Sequence, residues 1–157
     1  MKNLDDNKIL ESLYQENIEE IFETHHGLFL DPDTSLFDTL KAVSAEKASI
    51  PVGVKCATLA AQTAHAAFFL EEEQFYIRNG FYRDADWEDI WQNVRAVTPQ
   101  EWSILQDNLR KAYRETLELL KTRAEWNEKT GDRGMLAVIA HSAYHLGEIR
   151  QALCTLM

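Results

Sequence analysis

At 157 residues the chain is long enough to bury one sizeable core without disulfides, and its 45% hydrophobic and 27% charged residues exclude a disordered polymer. A formal net charge of -10 argues against nucleic acid as a partner, because sequence-independent affinity depends on Lys and Arg releasing counterions. The longest charge-free stretch, Cys56 to Leu70, is too short to cross a bilayer and carries Thr58, Gln62, Thr63 and His65, so no membrane partner is expected.

Between Asp5 and His26 the apolar positions Leu10, Tyr14, Ile18, Ile21 and Phe22 recur at three- and four-residue steps, which predicts an amphipathic first helix ending near Gly27. A loop follows through Asp31-Pro32-Asp33. Ser35 to Val43 reads as a short helix, and Ala45 to Ser49 adds a turn before Pro51 and Gly53. Val54 to Asn79 has almost no breakers and predicts a second long helix, buried at its start and exposed at its acidic end, with Gly80 as the terminator. Asp84 to Val97 is a peripheral helical segment with Trp87, Ile90, Trp91 and Val94 on one stripe. Thr98-Pro99-Gln100-Glu101 is a capping box with proline at the first helical position; it opens a third long helix expected to run to about Glu128 and to end at Gly131. Asp132 or Arg133 opens the fourth, which continues to the C-terminus.

These elements predict an all-α fold, a four-helix bundle with short extra helices in the connections, in a single domain over residues 1–157. Met1 to Glu11 carries Asp5, Asp6 and Glu11 where a secretory signal needs basic residues and an apolar run, so a cytoplasmic location is expected. The two cysteines, Cys56 and Cys154, have no partner at metal-clip or redox spacing and are expected to be buried thiols.

Three of the five histidines lie in charge-free helical stretches: His65 in the second long helix, His141 and His145 in Gly134 to Gly147 of the fourth. Both stretches are expected to be buried, where an imidazole needs hydrogen-bond partners or a metal. Residues four apart share a helix face, so His141 and His145 can converge on one ion, with His65 as the third ligand. A His-x-x-x-His pair also arises by chance as a satisfied core or surface pair. His25 and His26 are weaker candidates, since a helix-terminal histidine is ordinarily there for the dipole. Glu148 lies near the same face and is a candidate to orient a ligand or act as a general base, with a salt bridge to Arg150 or another helix as the plainer alternative. Tyr144 is a candidate to hydrogen-bond a ligand, or is a core tyrosine with its hydroxyl at the rim. Trp87, Trp91 and Trp102 border a pocket or simply pack.

The chain resembles the DinB/YfiT-like metal-binding four-helix bundles over nearly its whole length. The markers are Ser35-Leu36-Phe37-Asp38-Thr39-Leu40, Ala45-Glu46-Lys47-Ala48-Ser49, Thr63-Ala64-His65 and, most specifically, Ala140-His141-Ser142-Ala143-Tyr144-His145-Leu146-Gly147-Glu148-Ile149-Arg150-Gln151. The resemblance implies a divalent metal, zinc or nickel, on His65, His141 and His145, and a homodimer. Activities in such a family include low-molecular-weight thiol S-transfer, thiol-dependent isomerisation and metal-dependent hydrolysis. A metal-activated thiol transfer to a small electrophile is the leading expectation; a hydrolase using Glu148 and a non-catalytic, stress-linked metal or ligand binder are the alternatives.

Overall fold

The computed structural model describes residues 4–53, 57–127 and 129–156, and the regular structure among them is entirely helical. The first helix, α1, spans Leu4–Phe22 and buries Tyr14, Ile18, Ile21 and Phe22, the stripe its periodicity predicts. It stops four residues short of His26, and the reason is Glu20. That carboxylate turns away from solvent and accepts the backbone N–H groups of Leu28, Phe29 and Leu30 at 2.7–3.0 Å, which draws the chain out of the helix. His25 and His26 consequently sit outside α1 and exposed, His26 against Glu19 at 2.8 Å.

Burial pushes the Glu20 carboxyl upward, but the N–H groups of Leu30, Phe29, Leu28 and His26 outweigh it and hold the pKa at about 2. A carboxyl depressed on folding stabilises the protein above its unfolded pKa, near 4.5, and that stability is lost as pH falls toward 2. Discounted for solvent screening, the effect is on the order of 2 kcal/mol. Replacing Glu20 with Gln is therefore expected to remove most of the loss in urea-unfolding stability between pH 5 and pH 3 that this carboxyl causes, at the cost of lower stability at pH 7. An unchanged pH profile would contradict the account.

Two short helices, α2 (Leu36–Lys41) and α3 (Ala45–Ala48), follow, capped by the hydroxyls of Ser35 and Ser44. The second long helix, α4 (Leu59–Asn79), is capped by Thr58 and closed by Gly80 at φ 81°, a left-handed geometry that glycine adopts without steric cost. Its expected start at Val54 lies outside the described residues. Its second half is not the exposed end that its acids suggest, because Glu72 and Glu73 are only 1% and 2% exposed. Arg83 forks onto both oxygens of Glu72 and neutralises it, while Tyr82 donates its hydroxyl to Glu73 Oε1 at 2.8 Å and burial raises the Glu73 pKa.

The peripheral helix α5 spans Trp87–Asn93 and contains no buried residue. The capping box of Thr98 and Glu101 is present at the head of α6 (Pro99–Leu120), where Trp102 is buried and donates its indole N–H to the Val43 carbonyl at 2.8 Å. This helix ends at Leu120 rather than near Glu128. A 3-10 turn at Arg123–Glu125 follows, and Gly131 opens α7 (Gly131–Thr155) instead of closing α6. A side chain at Gly131 would meet Trp126 Cβ at 2.6 Å, so the turn depends on the missing methyl.

Helix α4 lies along both α6 and α7, and α1 packs on α7 and α6. Ile18, Phe22, Leu36, Leu70, Leu109, Tyr113, Met135 and Leu146 fill the space between them, with Phe22 stacked on Tyr113 at 4.9 Å. Cys56 lies outside the described residues. Cys154 is exposed, contrary to expectation, because it falls on the outward side of the last turns of α7.

Candidate metal centre

Helix α4 delivers His65 and helix α7 delivers His141 and His145 to the same point. The Nε2 atom of His141 lies 3.1 Å from that of His65 and 3.0 Å from that of His145. All three residues offer one nitrogen within 4.8 Å of the others, so the structure brings together the three histidines singled out by their charge-free surroundings. His65 and His145 are buried and His141 is half-buried. The charge-free part of α7 is buried on one face alone, since Leu136 and Tyr144 are 57% and 60% exposed.

The cluster has the electronic character of a cation site. Burial, reinforced by the neighbouring imidazole, holds His65 and His141 down at about 4, and burial and His65 lower His145 as well. At neutral pH all three rings are therefore uncharged, each with a lone pair on one nitrogen. His141 Nε2 takes part in both contacts but carries either one proton or one lone pair, so only one of them can be a hydrogen bond, and a cation answers the convergent nitrogens better. An ion with bonds of about 2.0–2.1 Å separates right-angled ligands by about 2.8–3.0 Å and tetrahedral ones by about 3.3–3.4 Å. The observed spacings of 3.0 and 3.1 Å fall between these limits, and the residues fit a divalent ion.

Glu148, one turn beyond His145, places Oε2 at 3.0 Å from His145 Nδ1. The pair is at ion-pair distance but off the line of a straight hydrogen bond. A proton on that Nδ1 leaves Nε2 free to face the centre, the usual service of a carboxylate behind a metal-binding imidazole. His65 Nδ1 has no such support; it is buried without a partner. Tyr144 stands at the rim rather than in the core, its phenol pKa raised by a hydrogen bond to and the charge of Glu148.

Aromatic rings enclose the nitrogens. Phe69 stacks on His141 with centroids 3.6 Å apart, and Trp91 of α5 lies 4.5 Å from His65, with Trp87 behind it at 6.1 Å. Phe69 was not distinguishable in the sequence from the other apolar residues of α4, although its i+4 spacing from His65 puts it on the same face. Trp102 belongs to the core and not to this wall. His25 and His26 lie elsewhere, beside the first loop. The histidines line a cavity of about 1370 Å³ between α4, α5 and α7, large enough for a small molecule, and Glu148 is its sole acidic lining residue among those described. No helix among the described residues is long and apolar enough to cross a membrane.

Comparison of the chain with protein-family models, with curated proteins and with solved structures finds no match in any of the three.

Proposed function

We propose that this protein is a divalent-metal enzyme of the DinB-like four-helix-bundle kind, with His65, His141 and His145 as ligands and thiol transfer to a small electrophile as its reaction. The observation that carries the reading is the convergence of three uncharged imidazole nitrogens, 3.0–3.1 Å apart along the chain of contacts, on a cavity that admits a small molecule. When bound, zinc or nickel supplies the Lewis acidity that lowers a thiol's pKa, with coordination positions left open by a three-residue ligand set. The chain's own residues do the rest. His145 is held in one orientation by Glu148, Phe69 and Trp91 keep bulk water from two of the ligand rings, and the uncharged imidazoles leave the cation's field undiminished toward an incoming thiolate. The sulfur forms its bond to the electrophilic carbon as that carbon's bond to its leaving group breaks; the leaving group departs with the electron pair, and the thiol proton passes to it or to solvent.

Metal-assisted hydrolysis stands second for one reason. It needs Glu148 as a free general base, and Glu148 is engaged with His145 Nδ1 at 3.0 Å. The homodimer expected from the resemblance belongs to the same proposal.

The test is metal content by mass spectrometry on protein purified without an affinity tag, followed by assays of small electrophiles with and without low-molecular-weight thiols. Near-stoichiometric metal and thiol-dependent turnover support the reading. Protein that takes up neither zinc nor nickel defeats it, and turnover without thiol moves it to hydrolysis. Replacing Glu148 with Gln is expected to weaken zinc about 10-fold in a competition titration, because the ligand survives while its orienting charge is lost; equal affinity would make Glu148 a surface residue with no part in the site.

A further inference from the structure

A neutral imidazole has one N–H and one lone pair, so a ring that offers Nε2 to an ion must carry its proton on Nδ1. His65 turns Nε2 to the cluster, 3.1 Å from that of His141, which makes Nδ1 its donor. That atom is buried and meets no hydrogen bond. His145 is buried in the same way, but the Glu148 carboxylate stands 3.0 Å from its Nδ1. His65 therefore needs an acceptor from inside the fold. A matching orphan lies on its own helix. Gln62, three residues before His65 on α4, is 9% exposed, and its Oε1 is buried without a hydrogen-bond partner. The other buried side-chain atoms left unbonded among the described residues are remote. Glu73 lies eight residues, about 12 Å, farther along α4, and Thr130 heads α7 eleven residues, about 16 Å, before His141.

An amide oxygen accepts and an imidazole N–H donates, so the two orphans are complementary. Residues three apart on a helix are neighbours, with Cβ atoms about 5–6 Å apart. The glutamine oxygen lies three bonds beyond its Cβ and the imidazole Nδ1 two bonds beyond its own, which spans that gap. The last torsion of a glutamine side chain is broad, so the amide turns onto the ring at little cost. We infer that Gln62 is the positioning residue of His65: its Oε1 accepts the Nδ1–H and keeps the Nε2 lone pair on the centre, as Glu148 does for His145. The inference rests on the metal reading for what the lone pair serves, and on the two buried atoms for the bond itself. Because the acceptor behind His65 is a neutral amide, it orients the ring without adding a second negative charge behind the cation.

The experiment is nitrogen NMR of the imidazole rings in the full chain, zinc-free and zinc-loaded, which tells an Nδ1–H ring from an Nε2–H ring, beside a competition titration for zinc. In the parent, His65 is expected to carry its proton on Nδ1 in both states. Gln62→Met keeps the length of the side chain and removes the oxygen; it is expected to move zinc-free His65 toward the Nε2–H form and to weaken zinc about 10-fold. Gln62→Glu restores an acceptor and should return the tautomer and the affinity at least to the parental level, a rescue that mere packing at this position would not give. Gln62→Asn, whose amide is one carbon short, makes the same test as Gln62→Met should that variant fail to fold. A His65 tautomer that does not follow residue 62 overturns the inference, and so does parental zinc affinity in Gln62→Met; in either case zinc uptake by the parent leaves the metal centre standing. A tautomer that follows residue 62 in a chain that takes up no zinc sinks the metal reading and leaves the bond between Gln62 and His65.

Discussion

His141→Ala is expected to lower zinc affinity by more than about 100-fold, the upper end of what loss of an outer partner costs a metal site. His141 is the choice because its Nε2 touches both of the others, 3.1 Å from His65 and 3.0 Å from His145. His65→Ala and His145→Ala should lose metal too, since each change leaves two of the three ligands. The helix content of all three variants, read by circular dichroism, should stay that of the parent, because the metal-free rings contribute little beyond packing against Phe69 and Trp91. His25→Ala serves as the control, since His25 is exposed and remote from the cluster. Retention of full affinity by His141→Ala would show that the ion, if any, is held elsewhere.

Gly134→Ala is expected to destabilise the protein by about 2 kcal/mol, a fall in Tm of roughly 4–8 °C. A methyl at Gly134 would lie 2.6 Å from Ile77 Cγ1, 3.1 Å from its Cδ1 and 3.2 Å from Glu73 Oε2. Neither neighbour can retreat easily. Ile77 is 1% exposed in the core, and Glu73 is held by Tyr82. Alanine's better helix propensity returns up to about 1 kcal/mol, which is smaller than the overpacking it causes. The comparison is Gly147→Ala on the same helix, where an added methyl meets nothing within 4 Å; that change should stabilise by up to about 1 kcal/mol. Calorimetric melting of the two variants decides the matter, and equal stability of Gly134→Ala and the parent would refute the close approach of α4 and α7. That approach is also what sets the distance from His65 to the α7 pair, so zinc affinity in Gly134→Ala should fall with Tm.

What the sequence disclosed was local. Thr98-Pro99-Gln100-Glu101 announced the head of α6 because every bond of a capping box lies within four residues, and the box is present. The three histidines stood out because charges are missing around them, although on α7 that absence marked one buried face and not a buried stretch. The rest depended on distant chain. Glu72 and Glu73 read as solvent-facing because their partners, Arg83 and Tyr82, lie beyond a helix terminus whose direction is invisible in one dimension. The early end of α1 comes from Glu20 reaching forward eight to ten residues, a span with no periodic signature. Gln62 looked like one polar residue in an apolar run, and Trp91 like ordinary packing; they face one cavity because α5 folds back across α4.

That same α5 has no buried residue and packs mainly on α4, whereas α4 and α7 contribute fully buried side chains along their length. The free energy needed to detach it is therefore far smaller than that needed to part the long helices, and it forms a separate, low-lying unit of opening. Amide hydrogens of residues 90–93 would exchange with solvent through this local event, while those around His65 and His145 wait for global unfolding. Detachment takes Trp91 away from His65 without disturbing the three nitrogens, so entry to the cavity and integrity of the centre are governed by two different equilibria.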